Sequence, residues 1–445
     1  MRAFLRSLPF LVSLIGLVFL AFVAGAVVVL TEIWPSVYLR NAWTGLQALT
    51  EQRRELAEGD RFVGGLAEPA RTDAEGVTVN EAGRAWPGYT LYTSGHDQGA
   101  YLIDMDGKTV HEWHLGFRDV WNEGAAVKNP LPDSRIFYRT ARVFPNGDLI
   151  ALIEAVGDTP YGYGLVKMDK DGKPIWTYLQ NVHHDFDVLP DGRIVTLTQE
   201  ILQDEVKPGP EILKPPRLED FVVILSADGK ELQKVRVLEA IRNSPYKDML
   251  HSLPFYLAGT GDVLHTNAVE YVTPEKAANF PFAEAGQILI SIRELGMLAV
   301  LDMEKDAFTW ATKGYWLGQH DPDILPNGHI LLFDNNGPYG ATHGSRVIEF
   351  DPSTYELSWS YGPPNPNQPL ESVIRSSQQR LPNGDTLIEE SNAGRLFEVT
   401  PGHEVVWEFI NPVRGGKDPV RVPVIMLGER VPLDYFEPGV VDGQS

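Results

Sequence analysis

The chain has 445 residues, 43% hydrophobic and 22% charged, a composition that can bury a sizeable core and is unlike that of a disordered or fibrous protein. A formal charge of −22 with no basic stripe excludes a nucleic-acid partner. The absence of cysteine excludes disulfide stabilisation and thiol chemistry.

The first predicted element is apolar. No charged residue occurs between Arg6 and Glu32, and a run of this length meets the ~20 residues of a bilayer span. Arg2 and Arg6 precede it, which predicts a transmembrane anchor over 1–31 with the remainder outside the cytoplasm. A cleaved signal peptide is the alternative, with Ala24, Gly25 and Ala26 as the small-residue site, although Val27 to Leu30 prolongs the run. Trp43, Leu46, Leu49 and Leu56 stand at helical spacing and predict a juxtamembrane helix, followed by a linker, over 32–85.

From Trp86 the chain repeats. Apolar strands closed by an Asp/Gly turn and usually a Trp begin at Tyr101, Leu165, Val222, Leu298, Val347 and Leu396. Each is preceded by a tight turn feeding an apolar strand: FPNGDLIAL at Phe144, LPDGRIVTL at Leu189, LPNGHILLF at Leu325 and LPNGDTLIE at Leu381. PGYTLYT at Pro87 and LAGTGDVLH at Leu257 are looser versions. Repeats of roughly 40–50 residues with this content predict a six-bladed β-propeller over 86–412, all-β, leaving 413–445 as a tail without clear period. The Pro-rich stretch 201–220 and residues 273–285 are predicted loop insertions. Trp113, Trp176, Trp310, Trp359 and Trp407 fall at one repeat position, as blade-to-blade packing requires.

The repeats also align polar residues. His184 in HHDFDVLPDG and His320 in QHDPDILPNG each stand five residues before the leucine of the turn, and Arg139, Ser252 and Ser376 hold the same slot elsewhere. Blades repeat by rotation, so equivalent slots form a ring that brings side chains distant in sequence to one channel. His265 and Arg293 interrupt apolar strands, where a charge is costly unless paired or bound to an anion. Histidines and arginines without cysteine or HxH spacing suit an oxyanion better than a metal. For each residue taken singly, a structural role is the competing reading.

These segments, with DVLHTNAV at Asp262, SIRELGMLAVLD at Ser291, the longer QHDPDILPNGHILLFDNNG at Gln319 and RLPNGDTLIEESNAGRLFEVTPGHEVVWEF at Arg380, resemble the bacterial arylsulfate sulfotransferases, which are six-bladed periplasmic propellers. The likeness spans roughly Pro87 to Asn411. It implies a histidine nucleophile at His320 that becomes transiently sulfurylated, with His184, His265 and Arg293 holding the sulfuryl group. Arg139, Asn267 and Asn335 complete the candidate substrate-binding set. It further implies an aryl sulfate donor, a phenolic acceptor and a periplasmic propeller; no metal or other cofactor is expected, and the apolar N-terminal run is expected to tether the propeller to the inner membrane. The chain departs from the family at Glu294, which follows Arg293 where the family often has histidine; strand alternation is expected to turn it away from the sulfate. A quinone-dependent dehydrogenase-like propeller, a non-catalytic propeller anchored beside a membrane-protein partner, and a sugar- or lactone-binding propeller are the alternatives.

Overall fold

The Ser226–Lys230 turn shows how one repeat is built. Ser226 N–H donates to the Lys230 carbonyl at 2.8 Å and Gly229 N–H returns to the Ser226 carbonyl at 2.9 Å, reversing the chain between strands Arg217–Leu225 and Glu231–Arg236. Gly229 sits at φ +78°, and a Cβ there would lie 2.6 Å from the Trp176 ring of the preceding blade. Turn geometry and close approach both demand glycine.

Repetition of this unit gives the architecture. The computed structural model describes residues 2–30, 36, 65–204, 206, 213–253, 261–336, 344–416 and 419–441. Residues 61–445 form one unit and 1–60 another. Among its described residues the larger unit holds six antiparallel blade sheets in radial sequence and one separate two-stranded sheet. Blade two runs Ile136–Val143, Leu149–Ala155, Gly162–Met168, Pro174–Tyr178, and blades three to six follow in chain order with inner strands Val182–Val188, Thr266–Tyr271, His320–Ile324 and Gln378–Arg380. The all-β, six-bladed expectation holds.

Blade one is composite. Its inner strand is Ile425–Pro432, paired with Gly88–Ser94, so a segment read as an aperiodic tail completes the ring. That strand carries no Asp/Gly turn or Trp, because it enters a blade whose own turns lie elsewhere in the chain. The presumed linker also contributes: Ala67–Pro69 pairs with Arg421–Pro423, and Gly76–Asn80 adds a fifth strand to blade six beside Val405–Ile410.

The ring closes on a buried ion pair. Arg430 on the composite strand reaches Glu398 of blade six at 3.3 Å, donates to Thr90 Oγ1 at 2.7 Å and to the Trp86 carbonyl at 2.6 Å, and lies over the Trp407 ring. The recurring tryptophans join blades as expected: Trp113 donates to the Gly147 carbonyl, Trp359 to Pro401 and Trp407 to Met105.

Two insertions differ from the expectation. Ile201 and Leu202 end strand Ile194–Leu202 and residues 217–220 begin strand Arg217–Leu225, while 273–285 contain a helix, Pro274–Asn279, capped by the Thr273 hydroxyl. The N-terminal run forms one helix, Arg2–Leu30, whose described side chains over 13–28 are almost all exposed. Among the described residues, no helix is long and apolar enough to cross a membrane, so the transmembrane expectation is not carried over. The predicted juxtamembrane helix lies outside the described residues.

Candidate active site

The inner strands bend where they meet the site. Register slips fall between Tyr138 and Thr140, His183 and Phe186, Thr266 and Ala268, His320 and Asp323, and Ile425 and Leu427. Arg139, His184 and Asn267 are thereby left out of their ladders, and a bulge re-aims such a residue. His184 (φ +60°) and His265 (φ +52°) hold a left-handed backbone that non-glycine residues adopt only when the surroundings fix it.

The free edges of neighbouring inner strands are joined by carboxylates. Asp185 accepts the Val269 N–H at 2.9 Å, Asp187 that of Tyr271 at 3.0 Å, Glu270 that of Ile324 at 3.0 Å and Asp321 that of Gln378 at 3.2 Å. Asp185 and Asp321 therefore tie blades together; the chain gives the imidazoles other partners.

Two adjoining cavities meet at the ring. One, of about 250 Å³, is the central channel and is lined by all six inner strands; the other, of about 240 Å³, contains His265, Arg293, Glu154, Tyr161 and Arg375. Arg139, His184 and His320 line both. Ser376 borders the channel, but Ser252 lies exposed on a short 3-10 turn, Lys247–Ser252. The repeat there was misread: the second strand of blade four is Ile288–Ile292, beyond the helical insertion, and Asn267 stands where Ser252 was expected.

His320 is buried, and its Nδ1 lies 2.7 Å from Asn335 Oδ1 and 3.0 Å from the Gly318 carbonyl. Asn335 has no freedom to invert, since its Nδ2 donates to the Ser372 and Arg375 carbonyls, both at 2.7 Å. Two acceptors fix the proton on Nδ1 and leave the Nε2 lone pair free. Burial, reinforced by Arg139 and Arg293, holds the imidazole well below its ordinary value, so it is neutral.

The other histidines form a chain. His183 and His184 share one proton between Nδ1 atoms 2.8 Å apart, and the His184 backbone N–H donates to Glu154 Oε1 at 2.6 Å. Burial, with His265 and His183 beside it, also depresses His184 strongly. His265 stacks edge-on against His184, ring centres 4.7 Å apart, and its Nδ1 meets Asp262 Oδ2 at 2.6 Å. Although burial opposes it, His265 with Arg293 holds the Asp262 carboxyl below its ordinary value.

Arg293 does not lie on a strand. Arg293–Leu295 form a 3-10 turn, and strand alternation therefore fails to turn Glu294 away. Its Oε1 accepts from Arg293 Nε at 2.9 Å and from Nη2, leaving Nη1 for a ligand. Arg139 spends Nη1 on the Met426 carbonyl at 3.0 Å, and Asn267 donates to the Gln319 carbonyl at 2.8 Å while its buried Oδ1 has no partner.

Sequence reasoning missed Glu154, Asp262, Tyr161 and Arg375. Glu154 interrupts the apolar strand LIALIEA as Arg293 interrupts its own, and Arg375 immediately precedes the slot residue Ser376; both signals were present. Asp262 lay three residues before His265, while nothing in the sequence around Tyr161 marks it.

Residues 140–412 match the family described as Arylsulfotransferase (ASST). The chain belongs to the arylsulfotransferase family. No curated protein matches this arylsulfotransferase-family chain. Among solved structures, a protein of unknown function from Bacteroides caccae is 12% identical, with a TM-score of 0.44 over 73% of this chain and 93% of that one. A streptogramin B lyase is 11% identical, with a TM-score of 0.41 over 81% and 94%. The arylsulfotransferase-family propeller thus gathers, around one cavity, a neutral imidazole with a free Nε2, two further histidines and several guanidinium groups. That set can bind an oxyanion and attack it.

Proposed function

We propose that the chain moves a sulfuryl group from an aryl sulfate to a phenol through a sulfo-histidine at Nε2 of His320. The observation that carries this reading is the pair of carbonyl acceptors on Nδ1, which presents a neutral Nε2 lone pair to a cavity rich in cationic groups. The Nε2 lone pair attacks sulfur, the S–O bond to the arene breaks, and a phenolate leaves. Arg139, Arg293 and His184 hold the equatorial oxygens as charge spreads over them, with Asn267 and Asn335 positioning. His265, oriented by Asp262, gives the phenolate its proton and later takes one from the incoming phenol, whose oxygen attacks sulfur as the N–S bond breaks. Atoms and protons balance over the two halves.

The propeller's address is inferred from sequence. We propose a periplasmic address for the propeller, a reading supported by Arg2 and Arg6 before an uncharged apolar run. Membrane retention in high salt by a chain beginning at Met1 would show an uncleaved tether, whereas an N-terminus near Val27 shows a cleaved signal.

The chemistry is tested by intact-mass measurement after exposure to p-nitrophenyl sulfate. The wild type gains one sulfuryl group, and His320→Ala gains none and has no turnover. Turnover that survives in His320→Ala refutes the nucleophile, and an unreactive wild type across an aryl sulfate panel favours the non-catalytic propeller.

A further inference from the structure

Arg375 is a cation the reaction above does not use. Its side chain lines the 240 Å³ cavity beside Phe137, Val156 and Ile374. Its backbone is held at φ +63°, with the carbonyl fastened by the same Asn335 amide that orients His320. Its Nη1 is buried and makes no hydrogen bond, and among the described residues no carboxylate pairs with it. A buried guanidinium N–H without an acceptor is uncommon, because desolvating it costs free energy that only a partner restores.

The surroundings argue that the missing partner is an anion other than the sulfuryl group. Arg139 and Arg293 are the cations acting most strongly on His320. Arg375 instead feels Arg139, Glu154 and Glu389, and burial together with Arg139 lowers it to about 10. Both acidic residues of this cavity are already engaged: Glu154 accepts the His184 N–H, and Asp158 accepts from Tyr163 and Thr159. Arg139, Arg293 and Arg375 thus line one cavity, and Arg139 acts on Arg375 beside its apolar residues, an arrangement a second negative charge relieves.

We propose that Arg375 anchors a second anion subsite, for an acidic substituent carried on the arene away from the sulfuryl group. The substrate class is accordingly an aryl sulfate, and its phenol, bearing a carboxylate, sulfate or phosphate. This specificity rests on the sulfuryl-transfer reading, because the aryl group must lie opposite Nε2 of His320 for in-line displacement. Donor and acceptor arenes then use the same slot in turn.

Calorimetry on the full chain with 4-hydroxybenzoate and its methyl ester reads the subsite without turnover. The wild type binds the acid about tenfold more tightly than the ester, the ratio falls to about one in Arg375→Met, and Arg375→Lys retains part of it. The same ratio is expected in kcat/KM for 4-sulfooxybenzoate against its methyl ester. Equal binding by the wild type overturns the proposal, as does a ratio that persists in Arg375→Met. Equal slowing of both donors with the ratio kept would mean that Arg375 holds the sulfuryl group and would equally overturn it. A binding preference without any adduct on His320 would leave the subsite standing and defeat the sulfuryl-transfer reading instead.

Discussion

Asn335 is the residue on which the chemistry of the proposed nucleophile turns. It accepts the Nδ1 proton of His320 while two carbonyls hold its own amide. Asn335→Leu removes the acceptor without adding charge, and kcat for p-nitrophenyl sulfate is expected to fall about 10²-fold as Nε2 loses its aim. Retention of full kcat would show that the Gly318 carbonyl alone suffices. His184→Ala, His265→Ala and Arg293→Ala are each expected to lower turnover ~10²–10³-fold while leaving a slow adduct detectable by mass. At this scale the sequence was informative where the repeats aligned polar residues, as at His184 and His320, and where a polar residue interrupted an apolar strand, as at His265 and Arg293, since all four line one cavity. It was misleading at Glu294, whose orientation depends on a one-turn helix that strand periodicity does not foresee. It was silent on Asn335 as partner of His320, because that contact crosses the loop between two strands of one blade.

The strand Ile425–Pro432 is the element that turns five blades and a fragment into a ring. Its Arg430 and the facing Glu398 are fully buried, and burial drives the carboxyl up to about 7 and the guanidinium down to about 10. Both charged forms are therefore held against a desolvation cost, and removing one partner strands the other. Glu398→Leu is expected to lower unfolding stability by ~3–5 kcal/mol, and the double variant Arg430→Met with Glu398→Leu to recover much of it, as chemical denaturation would read. A single variant as stable as the wild type would show the pair to be dispensable. The internal repeats made the blades legible because each must bury the same faces and reverse at the same turns. This strand escaped because it borrows its turns from the other end of the chain, and LAGTGDVLH misled because a helical insertion separates the inner strand of blade four from its neighbour.

Across the whole molecule, the channel is polarised. Guanidinium groups gather at the cavity beside His320, whereas Asp185, Asp187, Glu270, Asp321, Asp323, Glu389 and Glu429 line the channel with Arg142 and Lys276. Burial pushes Asp185 and Glu389 up to about 7 and Glu270 and Asp321 up to about 8. An unfolded chain ionises the same groups near 3.8 or 4.5, so the folded state retains protons that the unfolded state has released, and stability falls as pH rises through the raised values. The depressed His184 and His320 act in the opposite sense, costing stability as pH falls below 6.5. Between pH 6.5 and 8 only the carboxyls differ between the states, and Tm is expected to drop by a few degrees there. Asp321→Asn, which keeps an acceptor for the Gln378 N–H, should flatten the slope; a wild-type Tm constant over this window would defeat the account.

The composite blade also has a consequence in time. Arg139 of blade two completes its hydrogen bonding on the Met426 carbonyl, so a guanidinium emerging early in synthesis waits for a strand made near the end. The ribosome delivers five blades before the sixth can close, and until then the circle of inner strands has an open side through which water reaches His320. A chain truncated before Ile425 thus carries every histidine yet lacks the strand that closes the ring, and the complete site arrives in a single late step.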